Sequence, residues 1–195
     1  MRVIGITGGV GSGKSRVLTF LQERFFAVIC QADHVAWELQ MPGEECHRQI
    51  VTTFGNQIIN EDGTINRNVL GQIVFADGQK LRALNEIMHP QVKKRILERL
   101  ENEKVNGTKL FVIEAALLLE DHYDEICDDV WYIYTEPTVR AQRLKDNRSY
   151  SDEKIASIMN RQLSDEIFRK HCRVIIDNSG DFSDTCYQIE QAMKR

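Results

Sequence analysis

The sequence predicts an α/β fold, a parallel β-sheet flanked by helices and interrupted by a block that is almost wholly helical. Three observations carry this. The chain opens on a short β-branched run that ends in glycines and passes into helical periodicity. Residues 44–103 then show apolar spacing of the helical kind with no strand among them, and strand-like runs resume only at residue 109. A chain of 195 residues, 42% hydrophobic and 28% charged, suits one compact domain or one core with inserted subdomains better than two independent folds.

In chain order, 2–7 (RVIGIT) reads as a strand, and 14–26 as a helix with Val17, Leu18, Leu21 and Phe25 at helical spacing. A second apolar run, 27–30, leads to Asp33 and a helix through Leu39, which the turn at Pro42 and Gly43 ends. Within the helical block the expected segments are 44–54, 67–75, 78–88 and 91–100, with turns near Gly55 and Gly63 and a break at His89 and Pro90. Strands are expected at 109–114, 130–134 and 174–176, and the aromatics Trp131, Tyr132 and Tyr134 read as packing residues. Pro137 starts a helix through about Leu144, and the polar stretch 145–150 reads as a mobile link. Ser151 caps the next helix, and Ser183 caps a last one whose face carries Cys186, Ile189, Ala192 and Met193. The expected organisation is a discontinuous core (about 1–32, 108–139 and 170–195), a helical insertion (about 33–107) and a short lid (about 140–165).

Composition narrows the function classes. The apolar stretch 110–119 falls short of the roughly 18 residues of a membrane span. The N-terminal residues run into a glycine motif rather than a secretory signal, so a cytoplasmic location without membrane attachment is expected. A net charge of -4 supplies no global field for nucleic acid, so an anionic ligand needs local positive charge. The five cysteines, Cys30, Cys46, Cys127, Cys172 and Cys186, form no CxxC pair and read as reduced, mostly buried thiols. A monomer or weak homo-oligomer is expected.

Gly8-Gly9-Val10-Gly11-Ser12-Gly13-Lys14-Ser15 satisfies G-x-x-x-x-G-K-[ST] and lies between the first strand and the first helix. A glycine-rich loop turns successive backbone N–H groups inward without Cβ clashes, and the following helix offers its positive end to phosphate. Lys14 would reach the β- and γ-phosphates of ATP, and Ser15 would ligate Mg²⁺. The plain alternative, a tight turn with a surface lysine, does not need the strand-to-helix setting. The dinucleotide pattern G-x-G-x-x-G fails on spacing.

The companions of this loop are less specific. Asp33 follows the second strand and fits either a general base that prepares an acceptor hydroxyl or a helix cap. Glu114 closes the third strand, where a carboxylate can hold a metal, and Glu120 is a weaker candidate. Arg140, Arg143 and Arg148 are either a phosphate lid or a solvated face paired with Glu136, Asp146 and Asp152. Arg67 and His89 lie in the helical block, the one suited to a phosphate and the other to hydrogen bonding.

Taken together these residues resemble the dephospho-CoA kinase family along nearly the whole chain. The opening GITGGVGSGKS, Ala32-Asp33, DGTINRNVLGQIVF with Arg67, LNEIMHP with His89-Pro90, and VIIDNSG with Asn178 are similar to that family's segments in order and spacing. The resemblance implies a nucleotide-kinase-like P-loop fold with the insertion as acceptor domain, and transfer of the ATP γ-phosphoryl group to the ribose 3′-hydroxyl of dephospho-CoA. It implies Asp33, Lys14 and Arg143 as catalytic residues, and Gly8 to Arg16, Arg148 and Asn178 on ATP. Asp33, Arg67, His89 and Glu114 would then meet the acceptor. Two departures stand out: the run Glu114-Ala115-Ala116-Leu117-Leu118-Leu119-Glu120 lacks the family's proline, and Asn147-Arg148 stands where Arg-Asp is usual. A kinase for another small hydroxyl acceptor and an ATP-driven switch are the rival readings.

Overall fold

A computed structural model describes residues 1–195. The chain divides into two units, Met1–Ile29 with Gly107–Arg195, and Cys30–Asn106.

The first unit is built on a sheet of β1 (Arg2–Thr7), β2 (Val28–Gln31, whose last two residues are counted with the second unit), β3 (Leu110–Glu114), β4 (Asp129–Tyr134) and β5 (Val174–Asp177), in the order β2-β3-β1-β4-β5. β1 runs parallel to both β3 and β4, with Ile6 opposite Glu114 on one side and Trp131 on the other. It is apolar at Val3, Ile4 and Ile6 and buried from Val3 onward, as expected of a central parallel strand covered on both faces. From β1 the chain moves first toward one edge and, after β3, toward the other. The crevice at the carboxyl end of β1 is therefore a topological switch point, where ligands of open α/β sheets bind.

Helices α1 (Lys14–Phe25) and α9 (Phe182–Met193) cover one face of this sheet. Val17, Leu18 and Leu21 of α1 and Ile189 and Ala192 of α9 join Ile4, Ile6, Val112, Trp131 and Ile133 in one buried cluster. Phe25 is only partly buried and meets Phe20 edge to face, with ring centroids 6.1 Å apart. α6 (Pro137–Arg148), α7 (Asp152–Asn160) and α8 (Asp165–His171) complete the unit, and Tyr132 stacks on Phe168 of α8 at 4.6 Å.

The second unit holds α2 (Ala32–Leu39), α3 (Glu45–Phe54), α4 (Arg67–Ala76) and α5 (Gly78–Val105), with a single 3-10 turn at Asn56–Ile58. Its interior includes Val35, Leu39, Ile50, Phe54, Leu70, Val74, Met88, Val92, Ile96 and Leu100.

Several local expectations need correction. The break expected at His89 and Pro90 is absent: α5 is one helix of 28 residues with Pro90 inside it. Proline forfeits the hydrogen bond to Glu86 and disfavours the helical interior by about 3 kcal/mol. Burial of Met88, Val92, Ile96 and Leu100 on one stripe across the proline supplies the opposing term. The polar segment 145–150 is not a link throughout, because α6 continues to Arg148 and ends with Ser149 in the left-handed region. Ser183 does not cap α9; the cap position is Asp181. Helix α8, capped by Ser164 whose hydroxyl oxygen accepts from Ile167 N–H, is not among the expected elements, being too short for periodicity to register. Ser151 caps α7 as expected, accepting from Lys154 N–H at 3.3 Å. No helix is long and apolar enough to cross a membrane, and all five cysteines are free thiols.

Candidate active site

The loop Gly8–Ser15 leaves the buried end of β1 and runs into the first turn of α1. Gly13 is the residue before that helix and has φ +84°, a left-handed backbone that an L side chain adopts only with strain. A Cβ there would also drive into the amide of Asn178.

The loop is held from beneath. The Ser12 carbonyl accepts from Asn178 Nδ2 at 2.7 Å and from Thr135 Oγ1 at 3.0 Å. Thr185 Oγ1 of α9 donates to Asn178 Oδ1 at 3.0 Å, fixing which end of that amide faces the loop. Asn178, Thr135 and Thr185 are all buried, so these bonds are not exchanged with solvent. Asn178, expected on ATP, therefore acts here on the loop. Thr135 and Thr185 carry no sequence signature; each is an ordinary threonine until the fold brings the end of β4 and, through Asn178, the first turn of α9 to the loop after β1.

Lys14 Nζ donates to the Gly8 carbonyl at 2.8 Å and lies 3.8 Å from the carboxylate of Glu114, across the β1–β3 pair. Glu114 is buried, so the two charges sit where solvent screens them little. The hydroxyls of Thr7 and Ser12, at the loop's entry and within it, are buried without hydrogen-bond partners. Buried polar atoms of this kind call for an explanation such as a ligand or ion.

One arginine of α6 bonds the loop and a second bonds the Asn178 that braces it. Arg140 donates from Nε to the Val10 carbonyl at 3.0 Å, and Arg143 donates to the Asn178 carbonyl at 2.9 Å while its buried Nη1 lacks a partner. Burial pushes the Arg140 guanidinium below its usual pKa, but an arginine remains cationic in proteins. Arg148, expected on ATP, lies at the exposed end of α6 with its guanidinium 6.0 Å from the Tyr150 ring. At about 100° of helical rotation per residue, Arg143 lies about 60° round the helix from Arg140, and five further residues set Arg148 about 140° from Arg143. Arg16 lies over the Phe182 ring at 3.9 Å, and Ser15 presents an exposed hydroxyl in the first turn of α1. Glu120 is exposed in the turn after β3.

A family model described as dephospho-CoA kinase matches residues 2–184. The chain belongs to the dephospho-CoA kinase family. Curated dephospho-CoA kinases resemble this kinase over nearly its full length. That of Carboxydothermus hydrogenoformans is 36% identical over 187 residues, covering 96% of this chain and 90% of that one. That of Symbiobacterium thermophilum is 37% identical over 195 residues, covering 100% and 81%. The solved dephospho-CoA kinase from Campylobacter jejuni has the same fold, with a TM-score of 0.74 at 22% identity over 100% of this chain and 96% of that one.

In the kinase's second unit, Asp33 is exposed in the first turn of α2, one residue past Ala32. The cap position is Gln31, so the capping alternative for Asp33 falls away. Arg67 is the exposed first residue of α4, whose cap Asn66 accepts from Val69 N–H at 3.1 Å. His89 is half-buried within α5. A hydroxyl at Ser15 and a carboxylate at Glu114 are hard oxygen donors of the kind Mg²⁺ takes along with water and phosphate oxygens, so the residues present fit that ion.

Proposed function

We propose that this kinase transfers the γ-phosphoryl group of ATP to the ribose 3′-hydroxyl of dephospho-CoA, giving coenzyme A and ADP in the cytoplasm. The observation that carries the phosphate half is the glycine loop at the switch point, with Lys14 inside it, Arg140 bonded to its Val10 carbonyl and Arg143 bonded to the Asn178 that braces it. The acceptor half rests on membership of the family.

Phosphoryl transfer asks little covalent chemistry of the protein. It needs charge stabilisation and in-line positioning. The amides of Gly11 to Arg16 and the first turn of α1 would hold the phosphates, and Lys14 would exchange its bond to the Gly8 carbonyl for β- and γ-phosphate oxygens. Arg143 and Arg140 would meet charge as it develops on the transferring group. Mg²⁺ held by Ser15 and the phosphates, with Glu114 nearby, would neutralise part of the triphosphate charge. Asp33 would take the proton of the attacking hydroxyl, and Arg67 and His89 would bind the acceptor.

The test is acceptor dependence. Purified protein with Mg²⁺ and ATP should release ADP stoichiometrically with added dephospho-CoA, and the Lys14→Ala variant should lose that release. ADP release at the same rate with ATP alone would identify a switch, and dependence on a different hydroxyl compound would reassign the acceptor.

A further inference from the structure

Gln162 lies between α7 and α8, and its side-chain Oε1 accepts from two donors at once: the Val10 N–H at 3.3 Å and the guanidinium of Arg140. Arg140 in turn donates to the Val10 carbonyl at 3.0 Å, so loop, arginine and glutamine close a ring of hydrogen bonds. The guanidinium is packed onto Gly9 so closely that a Cβ there would overlap it. A backbone amide of a phosphate loop and an arginine converging on one oxygen is the arrangement in which proteins hold a phosphate oxygen. Here a neutral amide oxygen takes that position.

We propose that Gln162 is a placeholder for a phosphate oxygen of the incoming nucleotide, positioning Arg140 over the loop and yielding its place when the triphosphate binds. Neutrality is what makes the exchange possible. An amide oxygen satisfies a half-buried guanidinium with a bond in which only the donor is charged, whereas an anionic phosphate oxygen adds the acceptor's charge and can take two N–H bonds. A carboxylate at the same position would compete with phosphate on equal terms. Because Gln162 sits in the connection between two helices, its release also frees that connection from the loop rim, while α8 stays packed on β4 through Phe168 and Tyr132. The proposal rests on the reading that this loop binds the ATP phosphates.

Two substitutions separate a placeholder from a merely structural residue, because they act in opposite directions. Calorimetric binding of the non-hydrolysable analogue AMP-PNP with Mg²⁺ should tighten in Gln162→Ala by about tenfold, the worth of one displaced hydrogen bond to a charged group. In Gln162→Glu it should weaken by about tenfold or more, as the new carboxylate pairs with Arg140. Weaker or unchanged binding in Gln162→Ala, or tighter or unchanged binding in Gln162→Glu, would overturn the proposal. Thermal unfolding without nucleotide reports whether each variant is folded, and Gln162→Met, similar in length and lacking the oxygen, replaces the alanine variant if it is not. Lys14→Ala is the control for the underlying reading. If AMP-PNP binds that variant as tightly as the wild type, the phosphates lie elsewhere and the loop assignment itself fails.

Discussion

The side-chain amide of Asn178 holds the carbonyl of Ser12 at 2.7 Å, and through this bond the end of β5 fixes the shape of a loop that leaves β1. A P-loop binds phosphate only if its carbonyls turn outward and its amides inward. Asn178 and Thr135 hold one of those carbonyls outward, and Thr185 holds Asn178.

Removing the outermost member of this chain should therefore weaken nucleotide binding without touching the nucleotide. Thr185→Val leaves the Asn178 oxygen buried and unpaired, a cost on the order of 1–3 kcal/mol. Nucleotide titration should show an ATP Kd raised by about tenfold, with kcat at saturation little changed and binding restored in Thr185→Ser. An unchanged Kd in Thr185→Val would mean the loop keeps its shape unaided.

Asp33→Asn is expected to lower kcat by on the order of 100-fold or more while leaving the ATP Kd within about twofold, because the base acts on the acceptor's proton and not on the triphosphate. Rapid-quench kinetics with dephospho-CoA would measure this. Turnover equal to wild type would remove Asp33 from the role.

Burial pushes the thiols of Cys127 and Cys172 up from 9.0 to about 12, with nearby aspartates adding to the shift. A raised folded pKa favours the neutral thiol. The stabilisation is complete below about pH 9 and is lost as pH climbs from there toward 12. Both thiols should resist a disulfide probe at pH 8 in the folded protein and react at once in denaturant. Fast native labelling at either position, read by peptide mass, would contradict this.

Pro90→Ala should raise stability by roughly 1–3 kcal/mol, since α5 already runs through this exposed position and alanine restores the missing bond to Glu86. Equilibrium unfolding in urea would measure the gain. A loss would show that the proline is accommodated by a bend that the packing of α5 requires.

The parts legible in the sequence were those with a local signature. The glycine loop announces itself by residue type and by its place between β1 and α1, and the strand runs follow from β-branched periodicity. Polarity at 145–150 suggests that α6 ends near Leu144, yet it marks an exposed helical turn and not an absence of helix. Pro90 misled for the opposite reason, since a strong local signal was overruled by buried residues on both sides of it. Among the three arginines only the folded structure singles out Arg140, whose guanidinium bonds the Val10 carbonyl, while Arg148 is exposed at the end of α6. Gln162, Thr135 and Thr185 were invisible because their roles exist only in contacts between residues more than a hundred positions apart or on opposite sides of a connection. No spacing within the sequence encodes such a contact.

The central claim concerns where one phosphorus atom goes. With ATP carrying an isotopic label in its γ-phosphoryl group and dephospho-CoA as acceptor, phosphorus NMR and mass of the product should place the label in a monoester on the ribose 3′-oxygen, with unlabelled ADP as the other product. Label recovered as inorganic phosphate, with dephospho-CoA unchanged, would contradict the account.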